Sequence, residues 1–346
     1  MTVMATVNRA ILSNIDALHS RLPLVCDGDR EAIHDARVAT RRLRAALPLL
    51  SVGAATAVVE LATPMLRALG RALGRAREED EALRLIDEIE RRSPGAAPAA
   101  ATLRARLLPR QTRLRRRLIK TIESLDPEVL DRVRDAARQS GFSRRWVTDP
   151  GRSALRRAVG RRSEIAERKV HHAGGVYFPN RAHRARIAIK KLRYLAELMD
   201  RNERLRKPAV RALRNAQEAL GSIHDREILL GRLSQVMEEE EVQGARELAR
   251  VLEAESRALF ENYRAMRPAV QSACADLALW AQRSSASRPR RRLLAVGAVA
   301  LPSAAMLLAS QARRAVGHTV APHPIGRSDV RDSRAIPEVR HALDVR

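Results

Sequence analysis

Cysteine is nearly absent from this sequence. Cys26 and Cys274 stand far apart, and neither has His or Cys neighbours at metal-ligand spacing. That excludes a disulfide framework and gives no zinc motif. Phe, Trp and Tyr together make up 2% of the chain, which excludes the aromatic and β-branched strands of an all-β sandwich. It also leaves few stacking platforms for single-stranded nucleic acid. Lysine is scarce: five of the 65 basic residues. A GC-rich genome would produce the same bias, so arginine over lysine is not read as a functional choice. The start, MTVMATVNRAIL, lacks a basic, then apolar, then small-residue layout, and the expected compartment is the cytoplasm.

What remains is Ala, Leu and Arg. The 346 residues are 45% hydrophobic, enough for a buried core, and 65 Lys+Arg against 40 Asp+Glu give a net charge of +25. This is a helical composition. A field of that size attracts polyanions such as nucleic acid, polyphosphate or an anionic membrane. The pattern suggests helices over 1–92 and a linker at Pro94–Ala101 (PGAAPAAA). Loops are expected at Gly141–Pro150 and His171–Asn180, with long helices up to about Gln282. Beyond lie a basic linker, SSASRPRRR, and an apolar run, Leu293–Ala309, flanked by arginines. At 17 residues that run is at the lower limit of a membrane span; an anchor and an extra helix or loose tail are both open readings. The residues from His318 onward read as a disordered tail.

Self-comparison is more informative. Residues 34–47 read HDARVATRRLRAAL and residues 183–196 read HRARIAIKKLRYLA. His34 aligns with His183, Arg37 with Arg186, Arg41 with Lys190, Arg42 with Lys191, and Arg44 with Arg193. About 40 residues later in each half, LRALGRALGRAREED (66–80) matches LRNAQEALGSIHDRE (213–227). There Arg77-Glu78 falls on His224-Asp225, and Asp80 on Glu227. Two elements repeated in one order at nearly one spacing indicate a duplicated helical unit, with repeats over about 7–140 and 151–282.

On a helical wheel His34, Arg37, Arg41 and Arg44 lie within about 80° of one another, roughly one cation every 5 Å of rise. Ala36, Ala39, Leu43, Leu47 and Leu50 take the other side. His183, Arg186, Lys190 and Arg193 form the same stripe, joined by Tyr194. A solvated face is the bland explanation. Against it, like charges at i,i+3 and i,i+4 destabilise a helix, both copies repeat the arrangement, and each stripe opens with a histidine. An anion site fits better. A further row, Arg106, Arg110, Arg113, Arg117 and Lys120, lines either the same groove or solvent, and Arg157, Arg161 and Arg168 make a thinner version.

These residues resemble the CHAD family, the conserved-histidine α-helical domain. The resemblance rests on 34–47, HRARIAIKKLRYLAEL (183–198), LGRAREED (73–80) and LGSIHD (220–225), and covers about 7–282. It implies an all-α fold of two antiparallel helical bundles related by a pseudo-twofold, with a basic cavity or channel between them. It also implies binding of inorganic polyphosphate and association with polyphosphate granules. Carried over by motif, the contacting residues are His34, Arg37, Arg41, Arg42 and Arg44, then His183, Arg186, Lys190, Lys191, Arg193 and Tyr194, with Arg113 and Arg117 added from the basic row. Glu78, Asp80, Asp225 and Glu227 would orient arginines or cap helices. Glu78 stands where the family usually has Asp, and Glu81 where it has an apolar residue. No metal or other cofactor is expected.

Polyphosphate has no bases to stack and suits fork-shaped guanidiniums. His34 and His183 would donate hydrogen bonds, and a polyanion would favour their protonation. An enzyme is not expected: the ExExK strand of the triphosphatase domains often fused to CHAD is missing, as are a Walker loop and a nucleophile motif. Sequence-indifferent nucleic-acid binding is the alternative, although no signature of a nucleic-acid-binding fold is present.

Overall fold

A computed structural model describes residues 3–50, 55–142, 150–199 and 203–283. The linker, the apolar segment 293–309 and the tail lie outside the described residues, as does 143–149 of the expected loop. The described residues form nine α-helices and one 3-10 turn, with no strand. No helix among them is long and apolar enough to cross a membrane.

The first half comprises α1 (Val3–Cys26), α2 (Arg30–Leu50), α3 (Thr56–Arg92), the 3-10 turn Pro94–Ala96, α4 (Ala97–Glu123) and α5 (Pro127–Phe142). The second comprises α6 (Pro150–His172), α7 (Pro179–Glu197), α8 (Arg206–Glu239) and α9 (Ala245–Arg283). Helix order and neighbours repeat. α1 packs on α2, α2 on α3, α3 on α4, and α5 returns to α1; α6 packs on α7, α7 on α8, α8 on α9, and α9 returns to α6. The halves meet where α2 touches α7 and α3 touches α8.

Local chemistry sets the ends. Asp29 caps α2, its Oδ1 accepting from the N–H groups of Glu31 (2.7 Å) and Ala32 (2.9 Å). Pro179 sits in the first turn of α7, where its missing N–H costs nothing. Asp126-Pro127 breaks the return path of the first half into α4 and α5, with Asp126 Oδ1 accepting from Glu128 N (2.9 Å). α9 makes the same return unbroken, over 39 residues.

The apolar faces sort as the wheel requires. Ala36, Ala39, Leu43, Leu47 and Leu50 of α2 are buried, as are Ala185, Ile189 and Leu192 of α7. They share one core with α1, α3, α5, α6, α8 and α9. A second core joins the tips of the α3–α4 and α8–α9 hairpins, from Leu83, Ile86 and Ile89 to Leu229, Leu233 and Leu248. Here the expected linker PGAAPAAA proves structural. Ala96, Ala99 and Ala100 are fully buried, because small side chains let the hairpins close on each other. Gly244 (φ 77°) completes this packing: a Cβ there would stand 2.6 Å from the carbonyl oxygen of Gly95. His171–Asn180 contains a real non-helical stretch, but helix covers its first two residues and its last two.

Ion pairs tie the halves together around this second core. Arg232 of α8 donates to Glu79 of α3 at 2.7 Å, with Glu79 only 1% exposed. Glu255 of α9 accepts from both Arg226 (2.7 Å) and Arg92 (2.8 Å).

Candidate functional site

The stripes of α2 and α7 come together where these helices meet. Arg37, Arg41, Arg186 and Lys190 are half-buried there and crowd one another electrostatically. Arg37 is depressed by burial and then by Arg186, and Lys190 by burial and then by Arg186, Arg41 and Arg37. Lys190 is pushed down to about 7 and Arg41 to about 10, burial being the larger cause in both. Among the described residues, none of these four has a carboxylate within ion-pair distance or a hydrogen-bond partner, and Arg41 Nε is buried without one.

Unpaired half-buried cations are costly. Two features make the cluster possible. First, α3 and α8 each present a glycine to it. A Cβ on Gly74 would stand 3.7 Å from Arg37 Nε, and one on Gly221 would stand 3.9 Å from Arg186 Nε. The repeated Leu-Gly pair thus leaves room for a guanidinium to lie across the neighbouring helix, and anything larger than a methyl would press on it. Second, Asp225 supplies partial compensation. Burial pushes its carboxyl up to about 6, although Arg186 and Arg37 pull the other way.

Tyr194 closes one side. It is buried, with the Arg193 guanidinium 4.6 Å and the Arg41 guanidinium 5.7 Å from its ring centroid, and its hydroxyl has no hydrogen-bond partner.

Other candidates fall elsewhere. Arg193 is buried and occupied, bonding Glu197 and Gln217. Arg42 is exposed and pairs across the helices with Glu197 at 3.4 Å. Lys191 is exposed. Arg44 leans over Gly70 of α3, its Nη1 3.3 Å from where a Cβ would be. Arg113 and Arg117 are exposed on α4. Arg117 lines a separate hollow against α3 with Arg71, Arg75 and Lys120, so the basic row of α4 is not gathered into the α2–α7 cluster.

The histidines flank the cations differently. His34 is exposed and held below its ordinary pKa by burial, then by Arg77 and Arg41. His183 is depressed by burial, then by Arg186 and Lys190. Its Nδ1 lies 3.2 Å from Nδ1 of His224, and both line a cavity of about 370 Å³ with Glu227. His224 is driven down to about 3 by burial and then by Arg186.

The four acids divide. Glu78 is exposed and adds to the field at His183 and Arg186, while Asp225 stands among the cations. Asp80 is buried and fastens α4 to α3, accepting from Gln111 (2.5 Å) and Arg115 (3.0 Å). Among the described residues Glu227 neither orients an arginine nor caps a helix: it accepts the Tyr177 hydroxyl. Glu81 holds its departure from the motif by pairing with Arg77 at 2.8 Å.

Sequence reasoning missed Arg77 and His224 as members of the site. Both sit three residues after the Leu-Gly glycine, and their alignment with each other was the available signal.

An all-α chain whose two halves bring cationic helix faces together defines the class of protein at hand. A model of the CHAD domain matches residues 9–234, and the chain belongs to the CHAD family. No curated protein matches it in sequence. Among solved structures, the CHAD domain of the plant Ricinus communis is similar over 81% of this chain and 92% of that one, at 21% identity and a TM-score of 0.52. PptA from Streptomyces chartreusis aligns over 78% of this chain and 98% of its own, at 17% identity and a TM-score of 0.49. The first of these likenesses concerns the fold.

Proposed function

We propose that this chain binds inorganic polyphosphate at the α2–α7 junction, and that binding brings it to polyphosphate granules. The observation that carries the reading is the set of four cations, Arg37, Arg41, Arg186 and Lys190, without ion-pair partners among the described residues. Family membership supports the same ligand.

The chemistry follows from the side chains. Three guanidiniums present paired N–H donors to phosphate oxygens and Lys190 adds a point charge. The polyanion supplies the charge that Asp225 alone cannot. Binding restores Lys190 toward its ordinary pKa of 10.5, so the complex takes up a proton wherever free Lys190 is neutral. Affinity therefore falls as pH rises from about 7 through that range. The histidines act lower: both are held below 6.5 in the free protein and a polyanion raises them, so their protonation strengthens binding as pH falls from the raised value of the complex to the depressed value of the free protein. The role is binding rather than catalysis; incubation with polyphosphate and Mg²⁺ should release no phosphate.

The test is calorimetric titration with long-chain polyphosphate, duplex DNA and ATP at moderate salt. Polyphosphate should bind at least tenfold more tightly per phosphate than either. Equal affinity for DNA would replace this reading with general polyanion binding. A fluorescent fusion should coincide with stained granules in cells and disperse when Arg41 and Lys190 are both replaced by Glu.

A further inference from the structure

The hollow between α3 and α4 lies outside the stripe cluster. It has a volume of about 350 Å³, and its charged lining is Arg71, Arg75, Arg117 and Lys120. All four are exposed, and among the described residues none is within ion-pair distance of a carboxylate. Surface arginines elsewhere divide: Arg84, Arg104, Arg250 and Arg264 pair with Glu81, Asp87, Glu247 and Glu261, while Arg9, Arg67 and Arg113 have no carboxylate within ion-pair distance among the described residues. What sets these four cations apart is that they line one hollow.

Arg44 stands between the cluster and the hollow. Arg44 follows Arg41 by three residues on the α2 stripe and lies across α3 at Gly70. Burial, and then Arg67 and Arg71, hold its pKa below the usual value, so the fields of α2 and α3 overlap there. Along α3, Arg67, Arg71 and Arg75 recur every four residues, about 6 Å of rise each. In the second half the path differs: α8 keeps one cation of this row, Arg214 where α3 has Arg67, and a separate hollow of about 610 Å³ between α1 and α8 carries Arg9, Arg42, Arg206, Lys207, Arg211 and Arg214. Arg44 aligns with Arg193, which is buried and bonded to Glu197 and Gln217. By the same repeat Arg71 aligns with Glu218 and Arg75 with Ser222.

We infer that a long polyphosphate chain leaves the α2–α7 cluster over Arg44 and continues along α3 into the α3–α4 hollow, so that this hollow provides a second site and makes binding depend on chain length. This rests on the polyphosphate reading above. A short chain fills only the cluster. A long one engages both sites, and the second contact is intramolecular, raising the overall affinity without any new contact at the first.

The experiment compares long-chain polyphosphate with tripolyphosphate on three proteins: wild type, R71E/R75E, and R157E/R161E. The last makes the same change in charge on the exposed face of α6. R71E/R75E should lose about tenfold in affinity for the long chain, with tripolyphosphate affinity within about twofold of wild type. R157E/R161E should lose less than threefold on either. Should R71E/R75E fail to fold, R71Q/R75Q gives the same comparison with a smaller expected loss of about threefold. Wild-type affinity of the α3 variants for the long chain, equal losses on both ligands, or equal losses in the α6 control would each overturn the inference. A wild-type protein that binds neither ligand would instead remove the polyphosphate reading beneath it.

Discussion

The two halves repeat the same helix order, yet they treat their shared stripe differently. In the first, His34 faces Arg77, Arg44 has no carboxylate within ion-pair distance among the described residues, and the return path breaks at Asp126-Pro127. In the second, His183 faces His224, Arg193 is buried against Glu197 and Gln217, and α9 runs unbroken. Only the middle of each stripe is alike: Arg37 and Arg41 against Arg186 and Lys190, each arginine of the first pair answered by a cation of the second, and each half giving its leading arginine a glycine to lie across. The ends of the stripes serve packing or a second surface. The middle kept its unbalanced charge, a costly state to hold in a fold unless a ligand uses it.

This comparison can be broken at several points. The largest effect is expected from Glu79→Ala, which strands buried Arg232 between the halves; urea unfolding should lose about 3–5 kcal/mol. A loss under 1 kcal/mol would mean that the halves do not depend on this pair. Next, R41E/K190E takes one stripe cation from each half and should weaken polyphosphate binding at least 100-fold, with helical circular dichroism unchanged. Retention near wild type would reduce the stripes to solvated faces. Gly74→Leu and Gly221→Leu probe the equivalence directly: each should displace its arginine and weaken binding about tenfold, or ~1.4 kcal/mol. A tenfold loss in one and none in the other would show that the halves contribute unequally.

Smaller shifts follow from charge burial. Lys190→Met removes a cation that folding desolvates, and the free protein should gain about 1 kcal/mol while losing affinity. With its folded pKa at about 7 against 10.5 unfolded, Lys190 makes the unfolded state bind more protons in that window, so stability rises with pH from about 7 to 10.5. Asp225 acts in the opposite direction. Its carboxyl titrates at about 6 folded against 3.8 unfolded, so the folded state binds more protons and stability falls as pH rises between those values. Asp225→Asn should flatten the acid limb, and Lys190→Met the alkaline one, in thermal melts across pH.

Much of this was legible without coordinates. Apolar periodicity marked the buried face of α2 correctly, and the repeated histidine and Leu-Gly motifs pointed to the cations that converge. What misled was composition. PGAAPAAA looked like a linker because Pro, Gly and Ala are common in loops, but alanine is also what lets two hairpin tips close. Of the acids expected to orient arginines or cap helices, Asp80 does hold Arg115, together with Gln111, whereas Glu227 accepts from Tyr177, which a loop places beside it.

The sequence alone determined a helical, duplicated, strongly basic chain, because helix periodicity and like-charge stripes are properties of residues close together along the chain. Which cations stay unpaired was decided by tertiary structure. Arg44 and Arg193 occupy one motif position, and so do Arg77 and His224. Their different surroundings come from residues tens of positions away, brought near only when α2 meets α3 and α7 meets α8.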